Sequence, residues 1–191
     1  MPYAPHCLEI PEKPDACTYI TLHAIDENGC IRFGKVQAET GLGESLTETL
    51  IRRLRASGMV SSDGGYLALT DAGSAYMDAL PIRMVDVSDR IFVIGEHQQA
   101  TLVRGRGHMI TDGAEQRDCG TRHGSEGASV FVIRDGRFMI PQLWNLDDMD
   151  PDFAGAARAA GMGEGDALVV AGSRDKNVSR YSSVSIALEL V

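Results

Sequence analysis

The sequence lacks the patterns that would place it in several large classes of protein. No apolar run approaches the ~18 residues of a membrane-spanning helix, and the first residues lack the basic start and apolar run of a secretory signal. The four cysteines include no Cys-x-x-Cys pair, which is the usual spacing of structural zinc sites and redox motifs. We therefore expect a cytoplasmic protein with reduced thiols and no membrane partner.

Recognisable catalytic signatures are also missing. The chain has no phosphate-binding loop, no Gly-x-Gly-x-x-Gly after a strand and no Gly-x-Ser-x-Gly elbow. We therefore expect neither an enzyme nor a bound cofactor. Lysine is scarce as well, because fifteen of the eighteen basic residues are arginine. With a formal net charge of −9, attraction to nucleic acid would need a local basic face.

The N-terminal third is predicted to be mainly helical. Residues 1–14 contain four prolines, which indicate an extended arm that either docks on a partner subunit or is disordered. A first helix over Asp15 to Asp26 is followed by a short strand at Cys30 to Arg32 and a second helix over Phe33 to Thr40. A closing helix over Ala72 to Leu80 stops at Pro81. We assign residues 15–81 to one domain.

The longest predicted helix runs from Ser45 to Ser57 between two glycines. One side carries apolar or small side chains at helical spacing, and the other side is polar and ends in arginine. The predicted inward residues are Leu46, Thr47, Leu50, Ile51 and Leu54, and the outward ones are Ser45, Glu48, Thr49, Arg52 and Ala56, with Arg53 and Arg55 at the flanks. Short polar side chains allow a helix to enter a DNA major groove, and arginine can bind guanine edges or phosphates.

A hairpin is predicted directly after this helix. Met59 and Val60 end one strand, Asp63-Gly64 marks the tight turn, and Tyr66 to Leu69 form the second strand. Thr70 is placed to cap the closing helix. The segments Leu54-x-x-x-Gly58-Met-Val and Tyr66-Leu-Ala-Leu-Thr-Asp-Ala-Gly73 resemble the winged helix-turn-helix regulators of the MarR type over roughly residues 15–80.

The resemblance implies a sequence-specific DNA-binding transcriptional regulator that acts as a homodimer on double-stranded DNA. The residues expected at the DNA are Lys35, Gln37, Ser45, Thr49, Arg52, Arg53 and Arg55. Against this, the predicted wing from Ser61 to Gly65 has no basic residue, and residues 15–80 hold five basic residues against nine acidic ones. A winged-helix module that binds protein and not DNA is therefore the alternative.

Residues 82–191 show a β-rich pattern. Short β-branched or aromatic runs predict strands at Ile91 to Ile94, Ala100 to Val103 and Val130 to Ile133. A hairpin at Arg134-Asp-Gly136 leads into a strand at Arg137 to Ile140. Further on, we expect a helix over Asp152 to Ala160, a strand at Ala167 to Val170, and a strand over Ser183 to Val191, with a helix from Ser173 as its alternative. The predicted class is α+β, with a winged helix followed by a small barrel- or sandwich-like β-rich domain.

Two loops of the C-terminal half carry groups that could bind an anion. Arg104-Gly-Arg106-Gly-His108 places two arginines on a glycine-rich loop, and Arg122-His123 follows Cys119 in a second one. We expect these residues to contact phosphate or a small-molecule effector, or to belong to an uncharacterised catalytic site. Cys119 and the histidines lack the regular spacing of a zinc site, and the acidic run from Asp147 to Asp152 lacks that of a calcium loop. We therefore expect no metal.

Overall fold

The computed structural model describes residues 13–89 and 91–191. The chain divides into two compact units, residues 1–80 and residues 81–191. The predicted α+β class is confirmed, with helices and a small sheet in the N-terminal unit and a larger antiparallel sheet with helices in the C-terminal unit. The predicted N-terminal arm lies almost entirely outside the described residues. No helix in the described part of the chain combines the length and apolarity needed to cross a bilayer.

The N-terminal unit alternates short strands with helices. Its three strands form one antiparallel sheet in the order β1-β3-β2, so β3 lies in the middle. The short strand before the second helix therefore pairs with the hairpin. The elements are α1 (Ala16–Asn28), β1 (Ile31–Arg32), α2 (Phe33–Thr40), α3 (Glu44–Ala56), β2 (Val60–Asp63), β3 (Tyr66–Leu69) and α4 (Asp71–Ala79).

Local side-chain caps explain where these helices begin. The Asp15 carboxylate accepts from the Thr18 backbone N–H at the start of α1, and the Thr70 hydroxyl accepts from Gly73 N–H at the start of α4, as predicted. Gly73 itself lies against the hairpin, where an added Cβ would stand 2.2 Å from the Met59 carbonyl oxygen. Only glycine therefore lets α4 pack this closely.

The core of the N-terminal unit joins α1, α2 and α3 to the small sheet. Its members are Leu22, Ile25, Ile31, Val36, Ile51, Leu54, Met59, Val60 and Leu67. One predicted inward residue is wrong, since the side chain of Leu46 is 44% exposed. Leu46 lies at the edge of the apolar stripe, and the buried residues of α3 are Thr47, Leu50, Ile51 and Leu54.

The C-terminal unit is built on one six-stranded antiparallel sheet in the order β4-β5-β9-β6-β7-β8. The sheet is open, and helices cover it, so it is neither the barrel nor the sandwich that we expected. Its elements are β4 (Ile82–Val85), β5 (His97–Val103), a 3-10 helix (Gly107–Met109), α5 (Ala114–Arg122), β6 (Gly127–Arg134), β7 (Arg137–Ile140), β8 (Trp144–Asn145), α6 (Leu146–Met149), α7 (Pro151–Ala159), β9 (Ala167–Ser173) and α8 (Lys176–Glu189).

The central strand β9 is buried along its whole length because both faces of the sheet are covered. On one face, Phe131 and Leu168 pack with Phe153 of α7 in a cluster that includes stacked and edge-on aromatic rings. On the other face, Thr101 forms a 2.8 Å hydrogen bond with Ser183 of α8. The strand register pairs Phe131 with Leu168, which is consistent with this alternation of faces.

Three predictions for the C-terminal unit are wrong. The segment from Ser183 to Glu189 is not a strand, because it belongs to α8, whose small buried serines follow helical spacing through Ser179, Ser182 and Ser183. The alternative, a helix in this segment, is confirmed, but it begins at Lys176 and not at Ser173. Ile91 to Ile94 form no strand, and the Asp89 carboxylate instead accepts from the backbone N–H groups of Ile91 and Phe92. The glycine-containing segment at Cys119 is not a loop, since it lies inside α5.

The predicted hairpin between β6 and β7 is present. Asp135 and Gly136 both adopt positive φ, at 55° and 74°, which is the backbone of a tight two-residue turn. The predicted helix at Asp152 and the strands that contain Ala100, Val130 and Ala167 are confirmed as well. The elements with strong local signals were therefore found, and those that depend on distant contacts were not.

Candidate nucleic-acid interface

The helix α3 presents a polar face to solvent. Thr47, Leu50, Ile51 and Leu54 are buried, so packing against the core fixes which side of the helix faces outward. Arg53 and Arg55 lie in its last turn, where the negative end of the helix dipole favours cations. The exposed residues of α3 are Glu44, Ser45, Leu46, Glu48, Thr49, Arg52, Arg53, Arg55 and Ala56.

The side chains of the three α3 arginines make no hydrogen bond, ion pair or ring contact within the part of the chain that the structure describes. Within residues 13–89 and 91–191, no carboxylate, carbonyl or aromatic ring binds the guanidinium of Arg52, Arg53 or Arg55. Their five-donor groups are therefore available to an external partner such as phosphate or a guanine edge. Thr49 differs, because its hydroxyl donates to the Ser45 carbonyl at 2.8 Å and keeps only its acceptor capacity.

A groove of about 370 Å³ runs between α3 and the hairpin. Arg52 and Arg55 line it from the helix, together with the carboxylate of Glu48. Beside the groove, the Arg32 guanidinium stacks over the Tyr66 ring at 4.9 Å and is thereby engaged within the unit. The groove is bounded by Phe33, Glu48, Ile51, Arg52, Arg55, Ser62, Gly65 and Leu67.

The two residues predicted from α2 are less available than those of α3. The Lys35 ammonium is exposed but donates to the Asn28 side-chain oxygen at 2.7 Å, and Gln37 is half-buried. The hairpin turn at Gly64 and Gly65 carries no basic side chain. The accessible positive charge of this surface is therefore concentrated on α3.

The loop that contains Arg104 has a structural role. The buried Asp166 carboxylate accepts from the Arg104 guanidinium at 2.8 Å, from Gly105 N–H at 2.8 Å and from Gly163 N–H at 2.9 Å. His108 Nδ1 lies 3.0 Å from the Gly105 carbonyl oxygen. Arg106 is half-buried. The loop is thus held by internal bonds, and binding an anion through Arg104 would compete with them.

Arg122 and His123 lie at the end of α5, next to α8. The Arg122 guanidinium pairs with Glu189 at 3.4 Å, and the His123 ring packs edge-on against Tyr181 with centroids 5.4 Å apart. The pKa of the Cys119 thiol is raised to about 12, mainly because the thiol is buried and secondly because of a hydrogen bond with Glu189. Cys119, His123 and Glu189 bring their thiol, imidazole and carboxylate atoms within 4.8 Å of one another.

A smaller groove of about 140 Å³ is lined by Ala128, Ser129 and Val130 of β6 and by residues of three other segments. Phe92 stacks on Trp144 with ring centroids 5.3 Å apart, and the exposed side chains of Asp112 and Arg117 also line the groove. Sequence analysis missed this groove because its residues come from four separate segments. The one available signal was the single tryptophan, and tryptophan is frequent in binding surfaces.

Comparison with known proteins identifies a family and a fold. Residues 94–190, just over half of the chain, match the family described as "Domain of unknown function (DUF4443)". A solved structure, "Hypothetical protein PH0730 from Pyrococcus horikoshii OT3", is similar in fold with a TM-score of 0.73, 19% sequence identity and 93% of each chain covered. None of the curated proteins matches the chain. The chain belongs to the DUF4443 family.

Proposed function

We propose that the protein is a sequence-specific DNA-binding transcriptional regulator whose residues 15–81 act as a winged helix-turn-helix. In this proposal α2 and α3 form the helix-turn-helix, α3 enters the major groove, and the β2–β3 hairpin is the wing. The order helix, strand, helix, helix, hairpin, helix supports the assignment. The strand β1 pairs with the hairpin, as the small sheet of such a module requires.

The observation that carries the proposal is the set of unpaired arginines on α3. A guanidinium that already holds a carboxylate must give up that bond before it binds phosphate, whereas Arg52, Arg53 and Arg55 bind no carboxylate among the described residues. Arg52 lies on the same exposed side of α3 as the short side chains of Ser45 and Thr49, and Arg53 and Arg55 flank that side. Short side chains allow close approach of the helix to base edges.

The test is binding of the full-length chain to a fluorescent random-sequence duplex, measured by anisotropy across a salt series. We expect an affinity that falls steeply with salt, because phosphate contacts release counterions. The double variant Arg52→Ala/Arg53→Ala should bind at least about 30-fold more weakly, since each arginine contributes roughly 1–3 kcal/mol. If both contact phosphate, the slope of log K against log salt should fall by about two.

A matched control separates recognition from net charge. Arg137→Ala/Arg174→Ala removes the same charge from exposed positions of the C-terminal unit and should retain most of the affinity. Equal losses of DNA affinity in the two double variants would show that the effect comes from net charge alone. Absence of binding at the lowest salt would refute the proposal, and selection from a random pool that yields no preferred site would refute sequence specificity.

The second candidate function is a winged-helix module that binds a protein. Two observations favour it, namely the carboxylate of Glu48 in the groove beside α3 and the lack of a basic residue in the hairpin turn. It predicts that a basic peptide or protein binds this surface and that the affinity depends on Glu48. Two measurements distinguish the functions. The first compares binding of a basic peptide to the unmodified protein and to the α3 variants, and the second asks whether duplex DNA competes with the peptide.

We also propose that the regulator is a homodimer and that its C-terminal unit serves dimerisation, effector binding or an additional DNA contact. Two-fold symmetry would place two α3 helices on successive half-sites. The aromatic groove at Phe92 and Trp144 fits a small effector, because it offers ring surface beside the charges of Asp112 and Arg117. Sedimentation analysis at micromolar concentration tests the dimer, and a monomer at these concentrations would contradict it.

A further inference from the structure

Three side chains with metal-binding atoms meet where α5 packs on α8. Cys119 and His123 are four residues apart, so one helical turn places them on the same side of α5. Glu189 is the last residue of α8. The ligand atoms of all three lie within 4.8 Å of one another. Two elements that are distant in sequence therefore bring a thiol, an imidazole and a carboxylate to one point.

This set of donors suits a transition-metal ion. Zinc binds cysteine, histidine and carboxylate ligands at about 2.0–2.3 Å, so its tetrahedral ligands are separated by roughly 3.3–3.8 Å. Reaching that spacing from 4.8 Å requires movements of about 1 Å or less. The sulfur of Cys119 is fully buried, while His123 is half-buried and Glu189 is exposed. The two outer ligands can therefore adjust around a fixed sulfur.

The charge of a divalent ion is balanced at this point once Cys119 binds it as the thiolate. A Cys119 thiolate and the Glu189 carboxylate together carry two negative charges, which a divalent ion neutralises. As the sulfur–metal bond forms, the S–H bond breaks and the proton passes to the buffer. The Arg122 guanidinium, which pairs with Glu189 at 3.4 Å and is 62% exposed, can turn into solvent when the ion replaces it.

We propose that Cys119, His123 and Glu189 form a binding site for a divalent transition-metal ion, with zinc the best match. Three protein ligands leave a fourth position for water or a small ligand, as in open zinc sites. The Ser182 hydroxyl donates to the His123 carbonyl at 3.1 Å and the Tyr181 ring packs against the imidazole, so α8 also holds the end of α5 in place. An ion would therefore cross-link α5 and α8 in the DUF4443 domain.

Cobalt titration of the full-length chain tests the site directly. Co²⁺ should bind at one ion per chain and give visible d–d bands together with a near-ultraviolet thiolate-to-cobalt charge-transfer band. Zn²⁺ should remove both signals by displacement. Cys119→Ser should abolish the charge-transfer band and weaken binding about 100-fold or more, because a ligand change should cost at least as much as the 10–100-fold loss seen for second-shell changes.

Two further variants protect the test from misfolding of the buried Cys119→Ser protein. His123→Gln and Glu189→Gln change less buried side chains and should each weaken cobalt binding while the far-ultraviolet circular dichroism stays unchanged. His97→Gln, an exposed histidine of β5, is the matched control and should bind as the unmodified protein does. Cobalt binding without a thiolate band, or binding that survives all three ligand changes, would overturn the proposal. Neither result depends on DNA binding.

Discussion

The arginines of the two units differ in what they contact. In the C-terminal unit, Arg104 binds the Asp166 carboxylate, Arg158 binds Asp147, and Arg134 donates to backbone carbonyl groups near the 3-10 helix. In the N-terminal unit, the arginines of α3 have no such partners among the described residues. Arginine thus stabilises the C-terminal unit at these three positions and remains available for an external partner on α3.

Net charge would not have revealed this difference. Residues 15–80 hold five basic and nine acidic residues, and residues 81–191 hold twelve and sixteen, so both units carry an acidic excess. What distinguishes α3 is that three arginines on one helix have no hydrogen-bond acceptor among the described residues, whereas Arg104, Arg134 and Arg158 of the C-terminal unit have acceptors within their own unit. A functional surface in an acidic protein is therefore better sought among unpaired cations than in the charge balance.

The strongest test of this difference removes the carboxylate that holds Arg104. Asp166→Asn keeps the size of the side chain but replaces a carboxylate that accepts three hydrogen bonds with an amide. Because the site is buried, we expect the free energy of unfolding of the C-terminal unit to fall by about 2–4 kcal/mol. Urea denaturation followed by the fluorescence of the single tryptophan, Trp144, measures it.

The matched control is the same chemical change at an exposed carboxylate. Asp63→Asn lies in the hairpin of the N-terminal unit, where the exposed Asp63 side chain has no hydrogen-bond or ion-pair partner among the described residues, and it should alter stability by less than about 0.5 kcal/mol. A change of that small size in Asp166→Asn would show that the bonds to Arg104 and its loop contribute little.

The N-terminal elements were predictable because their signals are local. Asp15 and Thr70 cap helices through atoms three residues away, and the spacing of Leu50, Ile51 and Leu54 defines the buried side of α3 without reference to the rest of the chain. The positions of Arg52 and Arg53 on the outer side followed from the same periodicity. Only Leu46, at the edge of the stripe, was misplaced.

The C-terminal unit was less predictable because its determining contacts join distant segments. Arg104 and Asp166 are 62 residues apart, so a glycine-rich loop that looked free to bind an anion is tied down by a residue far along the chain. The alternation of Val184, Ile186, Leu188 and Leu190 indicated a strand, but all four are buried because α8 covers the sheet. The convergence of Glu189 with Cys119 depends on that helix.

A smaller effect should follow from changing the one carboxylate within the proposed DNA surface. Glu48→Gln removes a negative charge beside Arg52 and Arg55, so we expect DNA affinity to rise about 3–10-fold at low salt. The gain should shrink as salt rises, because ions screen the repulsion between Glu48 and phosphate. Asp78→Asn, at an exposed position of α4, is the control and should leave affinity nearly unchanged. An affinity that falls in Glu48→Gln would instead indicate that Glu48 accepts a hydrogen bond from a base.

The smallest expected effect is the change in stability when a paired arginine, Arg158, is replaced. This change should depend on pH, and the change caused by replacing an unpaired arginine should not. A hydrogen bond from Arg158 is the main cause that holds the pKa of the Asp147 carboxyl below its usual range. Because folding lowers this pKa, the contribution to stability is present above the unfolded value of about 3.9 and is lost as pH falls through the folded value.

Arg158→Gln should therefore lower the free energy of unfolding by about 0.5–1 kcal/mol at pH 7, measured by urea denaturation. The difference from the unmodified protein should disappear at acid pH. Arg53 on α3 binds no carboxylate within residues 13–89 and 91–191, so the effect of Arg53→Gln on stability should not change with pH in this way. A deficit in Arg158→Gln that persists after Asp147 is protonated would mean that Arg158 stabilises the unit through packing and its bond to the Gly136 carbonyl, and not through its charge.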